Sequence, residues 1–584
     1  MPSSSSSWER WFPIVGWLPR TSPASLRSDT AAGLTTAVML IPQAMAYAML
    51  ADLPPIVGLY ASTMPLVLYT LLGSSRQLAI GPMALASLLF AAGLHEILPA
   101  DADAATKVST AIIVTLIAGI LQIGMGVFRL GFLVNLLSHP VVSGFTGAAG
   151  IIIGASQLQH LLGMEIPPGK LVPTLSHVAR NLSAINVPTL LVALSSIGLI
   201  VALRRFAPKL PAALIGVLLG IVVSFAVDLE AMGVSVLGHV PTGLPTVRMP
   251  ALDLQQLKRM APLGLTIALI GFMESISAAK TYARLNRYEV SAATELVALG
   301  FANIGAAMVG GYTVGGALSR TAVHAQAGAR TPLAGLVTAM AIATTLAFFT
   351  PIFFFLPKPV LAAIIVVAVI GLIDVPEAVY LWRAKRDDLV LLLLTFFATL
   401  FGTIELGIVF GVLCSLLWLI FSTTRPQIRT LGRVPDTRSF RCISHFPNAE
   451  TFDRVLVLRM DAQFFFGNVV YLKDTLMDRL DHMNEPVAVV LDASSMNGLD
   501  STAADTMGEL ISELRRQGVE VFISHLKGAV IEVMHHTGLI DLLGSGHVFY
   551  EVDDAVAAAV RHREAVDRGI APEEEDFGPS DMVD

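Results

Sequence analysis

Apolar stretches long enough to cross a membrane follow one another along the chain up to about Ser422, with short polar breaks between them. A spanning helix needs about 20 mostly apolar residues. The segments 79–94 and 316–328 differ from the others because they are short and carry Gly or Pro at their starts. We predict about fourteen spans, at 30–50, 55–73, 79–94, 107–128, 140–160, 184–203, 211–228, 261–280, 291–310, 316–328, 333–354, 358–373, 387–402 and 404–422.

The pattern changes after a short basic joint that includes Arg425. Apolar runs there shorten to the length of a strand and alternate with helical patterns. This alternation predicts a sheet flanked by helices, and we expect a small α/β domain with its helices on one side of the sheet. The predicted strands are Val455–Met460, Val487–Asp492 and Val519–Ser524, and the predicted helices are 468–482 and 502–517.

These two patterns divide the chain into a membrane part and a soluble part. The acidic end of the chain has too little apolar surface to fold by itself and is predicted to be disordered. The expected divisions are a cytoplasmic N-terminal segment at 1–27, a transmembrane transport domain at 28–424, a cytoplasmic domain at 436–563 and a disordered acidic tail at 564–584.

Composition narrows the class of protein further. Hydrophobic residues make up 54% and charged residues only 14% of the chain, whereas soluble proteins carry roughly 25% charged residues. A net charge of −7 argues against a nucleic-acid partner. Cys414 and Cys442 suggest neither a disulfide framework nor a metal site, and no catalytic constellation is visible. We therefore expect an integral membrane protein that is not an enzyme and needs no cofactor.

The basic residues indicate the orientation in the membrane. They concentrate in breaks on one side, such as 280–287 and 383–386, and cytoplasmic loops are enriched in Lys and Arg. We expect both termini in the cytoplasm, with the chain surrounded by lipid in a plasma membrane, which is the inner membrane in a bacterium. The first apolar run leads directly into a second span, so a cleaved signal peptide is not expected.

Glycine clusters interrupt one span in each half of the membrane part. Gly81–Pro82 precedes one apolar stretch, and Gly310–Gly311 and Gly315–Gly316 precede another. Each cluster would let a helix begin inside the membrane and direct its free N–H groups and positive dipole end into a cavity. Two such starts fit an anion site between inverted repeats. Close packing of helices at the glycines is an equally weighted alternative.

Two of the charged residues in the predicted spans are candidates for a role in function. Arg320 lies one turn into the second interrupted segment, and an intramembrane charge is a functional hypothesis by default. We favour attraction of an anion over a side chain that only extends to the membrane interface. Glu274 lies mid-span, where dehydration lets a carboxyl take up and release a proton near neutral pH. It could equally balance Arg320, bind sodium or be a satisfied structural carboxyl.

Polar side chains on the first span add a further candidate surface. Gln43 and Tyr47 are one helical turn apart on the same face and offer a hydrogen-bond donor and an aromatic wall. They suit a weakly hydrated anion and, with equal weight, hydrogen bonding between helices. His324 is expected to pack between helices, although a proton relay is possible chemically, and Glu295 is expected to be structural.

Five motifs, in order along the chain, resemble those of the SulP anion transporters (solute carrier family 26). Ile41–Ala48 is similar to the first-span motif of that family, and Pro54–Ser62 to its second-span signature. Gly81–Pro82 resembles the start of its third span, and Leu318–Val323 matches its tenth-span motif. Asp492–Thr502 is similar to the loop and helix start of a STAS domain. The resemblance covers nearly the whole chain apart from both tails.

The resemblance implies fourteen spans in two inverted seven-span repeats, divided into a core and a gate domain and followed by a soluble α/β STAS domain. It also implies a homodimer. A carboxylate at the position of Glu274 accompanies symport in the family, and its absence is common in exchangers. The implied substrate-binding residues are Gln43, Tyr47, Gly81, Pro82, Met83, Ala84, Ala317, Leu318, Ser319 and Arg320.

The STAS motif adds a candidate regulatory residue. In related STAS proteins a serine after the Asp is phosphorylated, and Ser501 follows Asp500 here. A phosphate would be stabilised at a helix N-terminus, but a helix N-cap is the favoured explanation of Ser501.

Two positions in the membrane part depart from the family pattern. The family often has Asn where this chain has His324, and it often has a polar residue near Met83. These departures leave the identity of the anion open.

The leading hypothesis is a secondary active transporter of a small anion, with a proton taken up through Glu274. Sulfate is the default substrate, followed by bicarbonate or a dicarboxylate such as fumarate. A cation-independent exchanger or channel-like pathway is the alternative, and Glu274 argues against it. A nucleobase–cation symporter would lack the STAS domain, and a membrane-anchored sensor would need no interrupted spans.

Overall fold

The computed structural model describes residues 13–99, 102–132, 138–167, 171–207, 210–247, 254–402 and 404–570. The chain forms two compact units, Met1–Ser415 and Leu416–Asp584. The serine tract before residue 13 and the end of the acidic tail at 571–584 lie outside the described residues. The expected divisions at 27, 424 and 436 stay predictions.

Helices make up almost all of the first unit. Thr345–Phe349 and Thr350–Phe355 continue the helix Leu333–Thr344 as a π turn and a 3₁₀ turn. The α-helices among the described residues up to Thr424 are α1 (Ile14–Trp17), α2 (Pro23–Leu50), α3 (Pro55–Tyr60), α4 (Met64–Leu72), α5 (Ala84–Ile97), α6 (Ala104–Val127), α7 (His139–Ser156), α8 (Leu158–Leu162), α9 (Leu171–Arg180), α10 (Val187–Phe206), α11 (Ala212–Val227), α12 (Leu254–Leu285), α13 (Ala292–Met308), α14 (Leu318–Gln326), α15 (Leu333–Thr344), α16 (Lys358–Val369), α17 (Val375–Ala384), α18 (Arg386–Phe401) and α19 (Ile404–Thr424).

Every predicted span contains a helix or a run of adjoining helices. Within the described residues, eight of these runs are long and apolar enough to cross a membrane by themselves. Shorter apolar helices include α5, α11 and α13. The predicted span 79–94 is two extended residues, Ile80–Gly81, followed by α5, and 316–328 begins with Gly315–Gly316 and continues as α14. The two predicted breaks are therefore present.

The helices of the first unit pack in two groups, which α2 links through its contacts with α11 and α16. In one group α6 packs against α12 and α13, α2 against α15, and α4 against α13. In the other group α7 packs against α18, and α10 packs against α11 and α16. Members of one group come from both halves of the chain, as expected for intertwined repeats.

Two buried carboxylates hold the loops beside the interrupted helices. Glu295 of α13 is fully buried, and its oxygens accept hydrogen bonds from Ser74 N (2.8 Å), Ser75 N (2.9 Å) and Tyr69 Oη (2.7 Å). Asp29 of α2 is also fully buried and accepts hydrogen bonds from the loop after α14, including Thr331 Oγ1 at 2.6 Å. Buried charges require such partners, so both residues are structural, as expected for Glu295.

The second unit is built on one mixed sheet with the strand order β4-β3-β5-β6-β7-β8. Strands β5 to β8 are parallel, and β3 pairs antiparallel with β4 and β5. The elements are β3 (Ile428–Arg433), β4 (Phe440–Cys442), β5 (Val455–Met460), α20 (Val469–Asp481), β6 (Ala488–Asp492), α21 (Ser501–Arg516), β7 (Glu520–Ser524), α22 (Gly528–His536), α23 (Leu539–Leu543), β8 (Val548–Phe549) and α24 (Val552–Arg568); β1 and β2 are the two-residue strands Ile80–Gly81 and Gly315–Gly316.

The prediction that all helices lie on one side of this sheet is wrong. Leu456 and Leu458 of β5 pack into one apolar cluster with α20 and α21, whereas Val455 and Val457 pack into a second cluster with α24. Successive side chains of a strand point to opposite faces, and both sets are apolar here. The sheet is therefore covered on both faces, as parallel sheets usually are.

Two smaller expectations for this unit also need correction. The acidic tail was expected to begin at Glu564, but α24 continues to Arg568. Ser501 was expected to cap α21, but the N-cap is Asp500, whose Oδ1 accepts a hydrogen bond from Ala503 N at 2.7 Å. Asp caps a helix as well as Ser does. Ser501 is thus the exposed first residue of the helix.

Glu520, the first residue of β7, has two partners that stabilise its ionised form. Its Oε1 lies 2.6 Å from Arg515 Nη2 and 3.2 Å from His547 Nε2. Burial raises the pKa of this carboxyl, but the hydrogen bonds from His547 and Arg515 outweigh burial, so the pKa of Glu520 lies below its ordinary value.

We predict that Glu520→Gln lowers the local stability around β7 by about 1–2 kcal/mol at neutral pH, because charge-assisted hydrogen bonds are lost. A carboxyl whose pKa is depressed on folding stabilises the fold above its unfolded pKa and loses that effect as pH falls through the folded pKa. Amide hydrogen exchange of β7 should show the difference from wild type shrinking on acidification, with the exposed Glu509→Gln as control. A difference that is the same at every pH would contradict the assignment.

Candidate functional site

The two interrupted segments meet in space. Strands β1 and β2 pair antiparallel, with Ile80 opposite Gly316 and Gly81 opposite Gly315. Helix α5 begins three residues after this pair and α14 begins two residues after it. Among the described residues no side chain caps either helix, at Met83 or at Ala317. Uncapped first turns present N–H groups and a positive dipole end, which together favour an anion.

Arg320 joins the two strands from the first turn of α14. Its side chain is fully buried, which rules out the alternative in which it extends to the membrane interface. The guanidinium donates to four backbone carbonyl oxygens: Ala79 O (3.0 Å), Pro82 O (2.9 Å), Gly81 O (3.2 Å) and Gly315 O (2.9 Å). The guanidinium thus holds the backbone of both strands in place.

Gly81 has to be glycine at this crossing. Its φ is +155°, a conformation that L side chains rarely adopt. A Cβ here would also lie 3.3 Å from Arg320 Cζ and 3.1 Å from Leu40 Cδ1 of α2. The strand, the arginine and α2 are therefore in direct contact, which brings the predicted residues of three spans together.

Gln43 and Tyr47 face this region from α2 and leave one polar atom unpaired. Gln43 Nε2 lies 3.0 Å from Tyr47 Oη, and both side chains are buried. Gln43 Oε1 is buried and has no hydrogen-bond partner in the part of the chain that the structure describes. The O and N of an amide can be exchanged without altering its shape, so either orientation leaves one end available to a ligand.

Glu274 is the second charge at the site. It lies in the middle of α12 and is partly buried, and its charge acts on Arg320. Within the described ranges its carboxylate has no hydrogen bond or ion pair. A carboxylate in that position can exchange a proton, since no partner fixes its ionised form.

The beginnings of the two half-helices differ in accessibility. Gly81, Pro82 and Met83 are buried, whereas Ala84 and Ala317 are partly accessible. Leu318 and Ser319 are exposed. The Met83 side chain packs over Gly315, where an added Cβ would lie 2.6 Å from Met83 Cε. The first turn of α14 is therefore more accessible than the β1 side.

Several polar residues that support the site were missed from the sequence. Ser87 Oγ lies 2.8 Å from Tyr312 Oη, and both side chains are fully buried. Ser275 Oγ accepts a hydrogen bond from Gly316 N at 2.7 Å. Isolated serines in an apolar span are too common to single out, so only the fold reveals them. His324 lies 2.7 Å from Thr36 Oγ1 through Nδ1 and packs between α14 and α2.

Two protein-family models match this chain, one in the membrane part and one in the C-terminal domain. The model of the "Sulfate permease family" matches residues 26–395, and that of the "STAS domain" matches residues 446–555. The "Sulfate transporter 4.1, chloroplastic" of Arabidopsis thaliana is 36% identical over 576 residues, which cover 94% of this chain and 83% of that protein. The "Probable sulfate transporter 4.2" of the same plant is 34% identical over 553 residues, covering 91% and 81%.

Solved structures agree on the fold. The murine Solute Carrier 26 family member A9 anion transporter in the inward-facing state matches with a TM-score of 0.86 at 24% identity, covering 96% of each chain. The transmembrane domain of a cyanobacterium bicarbonate transporter, BicA, matches with a TM-score of 0.58 at 25% identity, covering 68% of this chain and 98% of that one. The family model covers more than half of the chain, and the plant relatives match it almost throughout. The chain therefore belongs to the sulfate permease (SulP, solute carrier 26) family of multi-pass membrane anion transporters and carries a C-terminal STAS domain.

Proposed function

We propose that this protein is a secondary active transporter that moves a small anion together with a proton by alternating access. One observation carries the proposal: two uncapped half-helices meet at the buried Arg320 while the carboxylate of Glu274 faces that charge without a partner. The first feature suits an anion and the second suits a coupled proton. A cation-independent exchanger or channel-like pathway is the alternative, but it leaves Glu274 without a role.

Glu274 gives a physical reason for coupling. When its carboxylate is ionised, it offsets the positive charge of Arg320 and reduces the attraction for an anion. Protonation removes that offset, so an anion binds more tightly to the protonated protein. By linkage, a bound anion then favours uptake of the proton. Sodium would act similarly as a neutralising cation at the same carboxylate.

We propose the binding residues from the geometry of the site. The N–H groups at the starts of α5 and α14 would hold the anion, which involves Ala84 and Ser319. The unpaired amide atom of Gln43 and the hydroxyl of Tyr47 would complete the pocket. The backbone at Gly81 and Pro82 would position these groups, and Met83, Ala317 and Leu318 would provide its apolar wall.

Sulfate is the substrate that we propose first. The two plant relatives named above are called sulfate transporters, and they match this chain almost throughout. Bicarbonate is the next candidate, because the cyanobacterial structure is that of a bicarbonate transporter. A dicarboxylate such as fumarate is the third.

Uptake into proteoliposomes tests the function and the substrate together. The purified protein would be assayed with labelled sulfate, bicarbonate and fumarate, with an inward proton gradient, an inward sodium gradient or neither. We expect one anion to accumulate above equilibrium only with the proton gradient. Accumulation with the sodium gradient alone would mean that sodium, and not a proton, is the coupling ion. Exchange without accumulation under either gradient would favour the alternative function.

We further propose that the protein lies in a plasma membrane, the inner membrane in a bacterium, with both termini in the cytoplasm and lipid around its spans. The concentration of Lys and Arg in breaks on one side supports this orientation. We also propose a homodimer in which the STAS domain contributes to assembly. Phosphorylation of the exposed Ser501 would add charge at the start of α21, where a helix dipole favours it.

Removing the chain after Arg433 tests the role of the STAS domain. We predict loss of the dimer, or failure to reach the membrane, while anion binding by the remaining protein stays within about twofold of wild type, because the site residues lie on α2, α5, α12 and α14. Chemical cross-linking and anion binding in detergent measure the two effects. A truncated protein that stays dimeric and transports at the normal rate would exclude both a scaffold and a regulatory role.

A further inference from the structure

One peptide group in β2 is held at both ends. The carbonyl oxygen of Gly315 accepts a hydrogen bond from Arg320 Nη2 at 2.9 Å. The N–H on the other side of the same peptide bond, that of Gly316, donates to Ser275 Oγ at 2.7 Å. A single rigid peptide plane therefore connects the buried arginine of α14 to a serine of α12.

Ser275 is also hydrogen-bonded to the backbone of its own helix, α12. Its hydroxyl donates to Gly271 O at 2.5 Å, and the side chain is fully buried. Hydrogen bonds in such a chain polarise and strengthen one another in a low-dielectric interior. Ser275 also directly follows Glu274, so any movement of the backbone that accompanies a change in charge of Glu274 reaches the Gly315–Gly316 peptide without an intermediate residue.

The fold does not depend on this contact alone. Asn303 of α13 holds the segment before β2, because its Oδ1 accepts hydrogen bonds from Val314 N (2.8 Å) and Thr313 Oγ1 (3.0 Å). Asn303 Nδ2 in turn donates to Gln122 Oε1 at 2.9 Å. The strand would therefore stay in place without the serine, and Ser275 can be altered without removing the site.

We propose that Ser275 is the positioning residue that transmits the protonation state of Glu274 to the anion site. The inference rests on the proton coupling proposed above. The groups that face Glu274 are Arg320 from α14 and Tyr47 from α2. Helices α5, α6 and α13 also pack against α12, but in their described residues they present no titratable side chain whose charge acts on Glu274. The path through Ser275 thus acts beside the direct attraction between Glu274 and Arg320.

The test compares how anion affinity depends on pH in matched variants. If one proton is taken up with the anion, affinity rises up to about tenfold for each unit by which pH falls. The slope of the logarithm of the affinity against pH measures this effect. In Ser275→Ala we expect the slope to fall to less than about half of the wild-type value, while the protein still folds. Ser275→Cys keeps the shape with a weak hydrogen-bonding group and should give an intermediate slope. Ser277→Ala, an exposed serine on the same helix, should keep the full slope.

Labelled sulfate binding to the detergent-purified full chain, across about two pH units, provides the readout, and thermal unfolding checks the fold. A serine that only stabilises the fold would lower the unfolding temperature and leave the slope unchanged, and this result would overturn the inference while proton coupling stands. A wild-type affinity that does not vary with pH would overturn both. If Ser275→Ala does not fold, a wild-type slope in Ser275→Cys would equally overturn the inference, and an intermediate slope would support it.

Discussion

Glu274→Gln is expected to abolish accumulation of the anion against its gradient while leaving the protein folded. Glutamine keeps the shape of the side chain but removes the group that takes up the proton. A gradient of one pH unit supplies about 1.4 kcal/mol per proton, enough for roughly tenfold accumulation by a one-proton coupler. In the variant the anion should only equilibrate, because the proton gradient no longer acts on the site.

Proteoliposome uptake driven by an inward proton gradient measures this effect. Glu289→Gln makes the same change at an exposed residue just before α13 and should leave accumulation at the wild-type level. Binding and exchange of the anion should survive in Glu274→Gln, since the neutral side chain mimics the protonated carboxyl. Accumulation that still responds to pH in this variant would exclude Glu274 as the coupling group.

Arg320→Ala is expected to weaken anion binding and to destabilise the membrane unit. At an effective dielectric constant of about 20 and a separation of about 8 Å, the lost attraction is about 2 kcal/mol, or roughly thirtyfold in affinity. The substitution also leaves four buried carbonyl oxygens without the guanidinium. Each unpaired group costs about 1–3 kcal/mol.

Arg320→Lys separates the two effects. It keeps the charge but cannot reach several carbonyl oxygens at once, since the ammonium lacks the planar fork of arginine. We expect affinity to fall less than in Arg320→Ala, with a similar loss of thermal stability. Arg330→Ala removes an exposed guanidinium and serves as control. Unchanged affinity in a folded Arg320→Ala protein would show that the arginine is only structural.

The sequence pattern was sufficient where one simple period determined the structure. The predicted strand Val455–Met460 has the observed ends. The predicted helix 502–517 differs by one residue at each end from α21. The two breaks in the membrane part were visible because Gly and Pro rarely cluster inside a span. The error about the faces of the sheet was avoidable, because β5 is apolar at both odd and even positions, which indicates cover on both sides.

The contacts of the site could not be predicted in the same way. Strands of two residues, such as Ile80–Gly81, are too short to show a period of two. The buried position of Arg320 depends on carbonyl oxygens, which every residue has and which leave no mark in the sequence. The partners of Ser275 are likewise backbone groups. Where main-chain atoms provide the recognition, only the fold reveals which side chain they select.

The packing of Met83 over Gly315 makes the residues at these two positions dependent on each other. A Cβ at position 315 would lie 2.6 Å from Met83 Cε and 2.8 Å from Met83 Sδ, so the two positions share one volume. A side chain at 315 would displace the flexible end of Met83 and would also crowd Ser275 Oγ, which would lie 3.0 Å from the added Cβ. The shape of the site is thus set jointly by positions 83 and 315, and a change at either one alters the space that is left for the other.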